Sequence, residues 1–377
     1  MKIGLLYPAS NEHPAIGLQL LEGLRKLLSL KGLTEKITIE AEGIGFGGIE
    51  KEVYEKTEKL LLVQNVDIVI AFIDLRVLPV LEPLFFASGK LLMVLNAGAN
   101  YPENWVPKPN IIHLTLQHAF LCSLAGREAG KNSHKNGLLA AGFYDCGYLH
   151  SSAMVQAFTE AGGKITYNYI NKDVADERFA VPELSTFLAN ENNDTKNLLC
   201  VFDTKPAALF YNRLLNVNTQ NLNLFVSPMM LEDQALQSLP ENNAFAIQGF
   251  SPWHASISTD DNQLFAETLK TQASMFSLLG WEAGLILERF INTASEFSNG
   301  EALVKTLVKN PVNGPRGQLK LDEETHYLLA PFFHYSMVPE SSKVVKTAVQ
   351  NFDGEWAAFS SITSEGAGGW LNTYLCY

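Results

Sequence analysis

Asp74 and Arg76 stand two residues apart, and a second polar cluster follows at Asn96, Gly98, Asn100 and Tyr101. An arginine guanidinium is a planar fork that holds a carboxylate through two hydrogen bonds. Turned onto Asp74 instead, Arg76 would form a surface ion pair worth little. Asp203 and Thr204 make a third polar pair. The aspartate suits a ligand ammonium, or the two residues cap the next helix, a role that fits Thr204 ahead of Lys205-Pro206. Tyr148 offers a ring to stack on a ligand and a hydroxyl to hydrogen-bond it. Ser10 lies in the polar stretch Pro8–Pro14, and Met229, Met230, Phe250 and Trp253 either line a cleft or fill a core. The chemistry on offer is recognition of a small polar molecule. No Gly-x-Ser-x-Gly, His-Glu-x-x-His or Cys-x-x-Cys occurs, and His113, His118 and His134 are not at a metal-ligand spacing. The expectation is a binding protein rather than an enzyme, without cofactor or metal. The glycine-rich stretch Gly43–Gly48 matches neither G-x-G-x-x-G nor Walker A.

The elements that must position these residues alternate between strand and helix. Val66–Phe72 and Leu91–Leu95 are short apolar runs, as strands buried on both faces of a parallel sheet read. Leu75–Ala87 is helical between them, with Gly89 as the residue that closes it. This is a βαβ unit, and ligands of open parallel sheets sit at the carboxyl ends of the strands. Asp74, Arg76 and the Asn96–Tyr101 cluster occupy that end. Before the unit come a strand at Ile3–Tyr7, a helix from Ala15 to Leu30, a strand at Ile37–Ala41 and a helix at Glu50–Gln64. After it comes a second α/β series. Its strands are Gly137–Phe143, Lys164–Ile170, Leu198–Phe202, Leu222–Val226 and Ala244–Phe250. Asn262–Thr293 reads as one long helical region kinked near Gly280. Leu328–Val338 reads as one extended segment, and Ser342–Asn351 as a helical patch.

A chain of 377 residues exceeds what one core usually holds, so two domains are expected. Hydrophobic content of 47% with 18% charged residues describes a globular protein, and a net charge of −12 argues against nucleic acid and anionic membrane surfaces. No apolar run reaches about 18 residues, so no membrane insertion is expected. Met1 leads straight into the first strand without signal-peptide features. The location is therefore cytoplasmic if Met1 is the native start and periplasmic if a leader has been removed. Cys122, Cys146, Cys200 and Cys376 are scattered, and a zinc site is not expected; they read first as small buried residues.

Four stretches in order along the chain carry a resemblance. They are the opening strand Lys2–Leu6 and Val66–Ala71, which matches Val-Asp-x-Ile-Ile-Gly with Ala71 for Gly. Asp145–Tyr148 then echoes Asp-x-x-Tyr-Gly. Last, Gly314–Asp322 matches Gly-x-x-Gly-x-x-x-Phe-Asp with Leu321 for Phe. Over about Lys2–Val338 the chain resembles the type I periplasmic-binding-protein family, nearest to the branched-chain amino acid substrate-binding proteins of ABC transporters. The resemblance implies an α/β fold of two Rossmann-like lobes joined by three crossovers, with a ligand cleft between them. Lobe one would span 1–116 plus 251–332, lobe two 117–250 plus 333–377, and the hinge would lie near Leu116, Phe250 and Phe332. It implies a solute-binding protein that serves a membrane permease. The alternative is a cytoplasmic ligand-sensing regulator on the same fold, like the amide-sensing antitermination regulators, with a regulatory partner. The family holds the ligand carboxylate with a Ser after the third strand, and here that loop reads Asp74-Leu75-Arg76. If Arg76 faces the cleft, the ligand carries a carboxylate. Asp203 would then take an ammonium, and Tyr148 and Trp253 would enclose the side chain. If Arg76 pairs with Asp74, a neutral or apolar ligand is expected.

Overall fold

A computed structural model describes residues 1–99, 106–142, 148–171, 182–190, 194–214, 222–237, 239, 245–293, 297, 299–339, 344–361 and 374–375. Asn100, Tyr101, Cys146, Cys376 and the Asp145–Gly147 part of the resemblance lie outside the described residues, as does the side chain of Tyr148.

The first series runs β1 (Lys2–Tyr7), α1 (Ile16–Leu30), β2 (Thr38–Gly43), α2 (Glu50–Glu58), β3 (Ile68–Phe72), α3 (Leu78–Ser88), β4 (Leu91–Asn96) and β5 (Ile111–Thr115). The second runs α4 (His118–Lys131), β6 (Asn136–Gly142), α5 (Tyr148–Glu160), β7 (Lys164–Asn171), α6 (Pro182–Leu188), β8 (Asn197–Val201), α7 (Thr204–Leu214), β9 (Asn223–Val226), α8 (Asp233–Leu236) and β10 (Ala246–Ser251). The chain returns through α9 (Asp260–Leu269), α10 (Met275–Thr293), α11 (Gly300–Lys309), β11 (Val312–Gly314), β12 (Gly317–Leu321) and β13 (Tyr327–Leu329). It closes with β14 (Phe332–Met337), β15 (Val345–Val349) and α12 (Asp353–Ser360).

The strands form two sheets with the same parallel core. In the first the order is β2-β1-β3-β4-β5, in the second β7-β6-β8-β9-β10. The first sheet is extended past β5 by β13, which is parallel to it, and by antiparallel β12 and β11; the second is extended past β10 by antiparallel β14 and β15. The chain changes sheet three times: after β5, after β10, and between β13 and β14. Strands β3, β4, β5 and β8 are buried along their whole length, which is why they read as mainly apolar runs.

In each lobe two helices pack backbone to backbone. A Cβ at Gly280 of α10 would overlap the Leu20 carbonyl oxygen of α1, and one at Gly23 would overlap that of Ser277. In the second lobe a Cβ at Gly126 of α4 would overlap the Met154 carbonyl oxygen of α5. Gly280 therefore does not kink its helix as the sequence suggested. The break falls at 270–274, where Lys270 takes φ +53° and a short 3₁₀ turn separates α9 from α10. Two other expectations change. Leu328–Val338 is two strands in different sheets, parted at Pro331, which has no N–H to give a ladder. The helical patch at Ser342–Asn351 is instead the edge strand β15, where Val345, Thr347 and Val349 alternate along an antiparallel partner. The predicted helix at Glu50–Gln64 keeps α geometry only to Glu58 and finishes in a wider π turn over Lys59–Val63 that buries Leu60 and Leu61. Gly89 closes α3 at φ +66°, as its position predicted.

The turn before β12 carries a wholly buried ion pair. Arg316 donates from Nε to Glu282 Oε1 at 2.9 Å and from Nη2 to Oε2 at 2.6 Å, and Nη1 reaches the Thr115 carbonyl at 3.3 Å. It ties α10 and the β11–β12 turn to the last residue of β5, where the first crossover begins. Removing one partner strands the other charge in the core. Arg316→Ala should lose about 3–5 kcal/mol in denaturant unfolding, and Arg316→Met with Glu282→Leu should recover most of it. A loss below about 1 kcal/mol for the single variant would contradict this assignment.

Candidate functional site

Sheets ordered this way leave a crevice where the strand order reverses, and ligands bind at the carboxyl ends there. In the first lobe that point lies between β1 and β3, and in the second between β6 and β8. The loops that reach it are 8–15 after β1, Ile73–Asp74 after β3, and Phe202–Asp203 after β8.

The loop after β1 folds on itself: the His13 amide donates to Ser10 Oγ at 3.0 Å, and the Ile16 amide to the His13 carbonyl at 3.0 Å. This presents the His13 ring to the second lobe, where Nε2 meets Asp203 Oδ2 at 3.4 Å. On the rim, Lys205 reaches Glu12 at 3.0 Å. Asp203 is held from behind, since its Oδ1 accepts from the Thr204 amide at 2.6 Å and the Thr204 hydroxyl at 3.2 Å, at the start of α7. Of the two roles weighed for Asp203 and Thr204, the structure shows the cap at the start of α7, while the other Asp203 oxygen faces His13 of the opposite lobe. The Thr204 hydroxyl also lies 3.3 Å from Glu232 Oε2.

Burial alone would lower the pKa of His13, but its hydrogen bond to Asp203 and the charges of Asp203, Glu232 and Glu12 outweigh that and hold it above the ordinary value. Burial would raise Asp203, yet the His13 bond and charge, with the two Thr204 donors, hold it below the usual carboxylate range. Glu232 is pushed up to about 7, chiefly by burial. His118, first residue of α4, is enclosed, and neither ring nitrogen finds a partner among the described residues. Burial, then the charges of His150 and Arg316, keep it neutral.

The other expected residues are placed as follows. Arg76 is 43% exposed and closes on Asp74, with Nη2 at 2.7 Å from Oδ2 and its own amide at 2.9 Å from Oδ1. Asn96 binds inward, donating to the Ile73 carbonyl at 3.5 Å and accepting from the Gly98 amide at 2.8 Å. Gly98 takes φ +72°, and a Cβ there would lie 2.7 Å from the Gln117 backbone, so it sets the close approach of the β4 end to the first crossover. Met229 is in the core of the second lobe. Trp253 is buried with its indole N–H on Asn262 Oδ1 at 2.7 Å and its ring edge-on to Phe265. His13, His118, Glu232, Phe276 and Tyr374 come together in the cleft without having been singled out for it. The one signal in the sequence was position, since His13 and Glu232 follow strand ends; which ends face each other depends on strand order. A separate groove of about 1270 Å³ lies between β12–β13 and β14–β15, lined by His254, Asp322, Phe333 and Lys346, and includes no switch-point loop. Among the described residues no group of three or more His, Cys, Asp or Glu could hold a metal, and no helix is long and apolar enough to cross a membrane.

A family profile described as periplasmic binding protein matches residues 1–341. No curated protein sequence matches the chain. Among solved structures, an ABC transporter substrate-binding protein from Sphaerobacter thermophilus is similar at TM-score 0.76 and 16% identity, covering 93% of this chain and 97% of that one. A solute-binding protein from R. palustris in complex with benzoate gives 0.72 and 18%, over 93% and 97%. A branched-chain amino acid transporter substrate-binding protein from Streptococcus pneumoniae, in complex with isoleucine, gives 0.67 and 13%, over 93% and 99%. At these identities the likeness is one of fold, the two-lobed type I architecture.

The bridge has a pH signature. His13 stabilises fully below 6.5, and its contribution is lost as pH rises through the raised folded value. Asp203 contributes above 3.8 and loses that as pH falls through its depressed value. Glu232, neutral when folded, erodes stability as pH climbs from 4.5 to about 7. Melting temperature should therefore fall from mildly acidic to basic pH, and His13→Gln should flatten the part of the fall above pH 6.5. An unchanged profile in the variant would contradict the assignment.

Proposed function

This chain belongs to the periplasmic binding protein family, and we propose that it acts there as a solute-binding protein, holding a small molecule between its lobes and presenting it to the permease of an ABC-type importer. The observation that carries the reading is the His13–Asp203 contact, which brings the two switch points face to face, so that a molecule held there touches both lobes at once. Binding energy from such a ligand favours the closed arrangement over an open one, which is the differential affinity that closure requires. We place the hinge at the crossovers near Leu116, Phe250 and Phe332, and the lobes at 1–116 plus 251–332 and 117–250 plus 333–377. The reading puts the chain in the periplasm, beside its permease, and assigns it no turnover of the ligand.

The family reading offers an amino acid or related polar metabolite, and the closing of Arg76 on Asp74 favours a neutral member of that range. Arg76, closed on Asp74, leaves the recognition of charge to Asp203, His13 and Glu232. Asp203 and Glu232, the acids of this set, suit a ligand that offers hydrogen-bond donors or a cationic end. The R. palustris and S. pneumoniae proteins named above hold benzoate and isoleucine, so both classes belong in the screen.

Thermal-shift screening of amino acids, amides and aromatic acids should find a compound that raises the melting temperature, and X-ray scattering should show compaction when it binds. Asp203→Ala should weaken that compound by about tenfold or more, as truncating a buried polar partner does, whereas Arg76→Ala should change it by less than about threefold. A binder that neither compacts the protein nor responds to Asp203→Ala would overturn the interlobe site.

A further inference from the structure

Tyr374 and Leu375 are enclosed at 1% and 0% exposure and belong to no helix or strand. They lie in the cleft. The Tyr374 ring is met edge-on by His13 at 4.9 Å and Phe276 at 5.0 Å from the first lobe, and by His118 at 5.7 Å from the start of α4. Its hydroxyl donates to Glu232 Oε1 in the second lobe. Leu375 packs beside Gly47, whose carbonyl accepts the Asp74 amide after β3. One aromatic side chain thus touches both lobes in front of both switch points.

The walls around this ring define what they select. Edge-on contacts from three rings suit a flat aromatic body. The polar groups nearest its hydroxyl are acceptors and acids, namely Glu232, with Asp203 and Thr204 behind it. The cationic groups described around the cleft already have carboxylate partners: His13 on Asp203, Lys205 on Glu12, Arg76 on Asp74 and Arg316 on Glu282. A carboxylate at the hydroxyl position would meet the ionised Asp203 close by, and Glu232 as well once the pH passes about 7, while a hydroxyl or ammonium donor would not. His118, buried and without a ring-nitrogen partner among the described residues, faces the same ring, so a ligand there has a polar group within reach on that side as well.

We propose that Tyr374 occupies the ligand position as a tethered surrogate, and that the ligand it stands in for is an uncharged or cationic hydroxyaryl compound whose hydroxyl donates to Glu232. The proposal rests on the solute-binding reading and names the chemical class for the same cleft. It makes the C-terminal residues an intramolecular competitor. A free ligand then binds only the fraction of molecules in which the tyrosine has left, and its apparent affinity falls by that fraction.

Calorimetric titration of the full chain, Tyr374→Phe and Tyr374→Ala with 4-methylphenol, benzoate and leucine tests this. Tyr374→Ala should bind 4-methylphenol about tenfold tighter than the parent or better, with Tyr374→Phe, which keeps the ring and loses the bond to Glu232, in between. Adding Glu232→Gln to Tyr374→Ala should take back about tenfold. Benzoate and leucine should gain less than 4-methylphenol. Equal affinity of 4-methylphenol for parent and Tyr374→Ala, or a larger gain for benzoate or leucine, would overturn the proposal and leave the solute-binding reading standing. If none of the three binds any form, the proposal falls; the solute-binding reading falls with it only if the wider thermal-shift screen is also empty.

Discussion

One hydrogen bond of 3.4 Å, from His13 to Asp203, spans the lobes at the point where the strand order of each sheet reverses. Both side chains are carried by ordered backbone. Ser10 fixes the turn that carries His13, and Thr204 with the start of α7 fixes Asp203. The contact therefore sets how the two carboxyl-end surfaces face one another. With Glu12 and Glu232 close by, it also makes the cleft acidic apart from His13 itself. That imbalance raises the histidine's pKa and favours donor groups on whatever enters.

The lobes behind this contact are stiff. Gly280 and Gly23 let α1 and α10 touch through their backbones, and Gly126 does the same for α4 and α5. Close-packed backbones leave little room for continuous deformation. The crossovers are thinner. The one after β5 is anchored by Gly98 against Gln117 and by Arg316 on the Thr115 carbonyl. A change in lobe arrangement would then concentrate at these connections, as rigid-body closure does in two-lobed proteins.

The architecture was legible because buried parallel strands have a signature of their own: Val66–Phe72 is apolar but for Asp67, and Leu91–Leu95 is apolar throughout. Mistakes fell where one residue type serves two ends. Gly280 reads as a helix breaker, yet its missing side chain serves a helix–helix contact, and the real break lies at Lys270. Ser342–Asn351 read as a helical patch, but within it the β-branched Val345, Thr347 and Val349 alternate beside an open sheet edge and form a strand. The site was half legible. Asp203 and Thr204 were placed at a strand end, and Asp74 and Arg76 were placed together. Whether an arginine turns to a ligand or to its neighbour depends on a rotamer that spacing does not set. His13, Glu232 and Tyr374 meet only through strand order and the course of the C-terminal residues, neither of which leaves a local pattern.

The central claim is that the lobes share one ligand across the His13–Asp203 contact. It can be read as a distance. Energy transfer between dyes on single molecules carrying Lys36→Cys in the first lobe and Glu160→Cys in the second would report it, in a chain with Cys146→Ser and Cys376→Ser. The remaining thiols, Cys122 and Cys200, are buried and held protonated by burial. The account predicts two separations, with the shorter one favoured by a bound molecule and the longer one favoured by His13→Ala or Asp203→Ala. A single separation, unmoved by either substitution and by any compound that stabilises the fold, would contradict it.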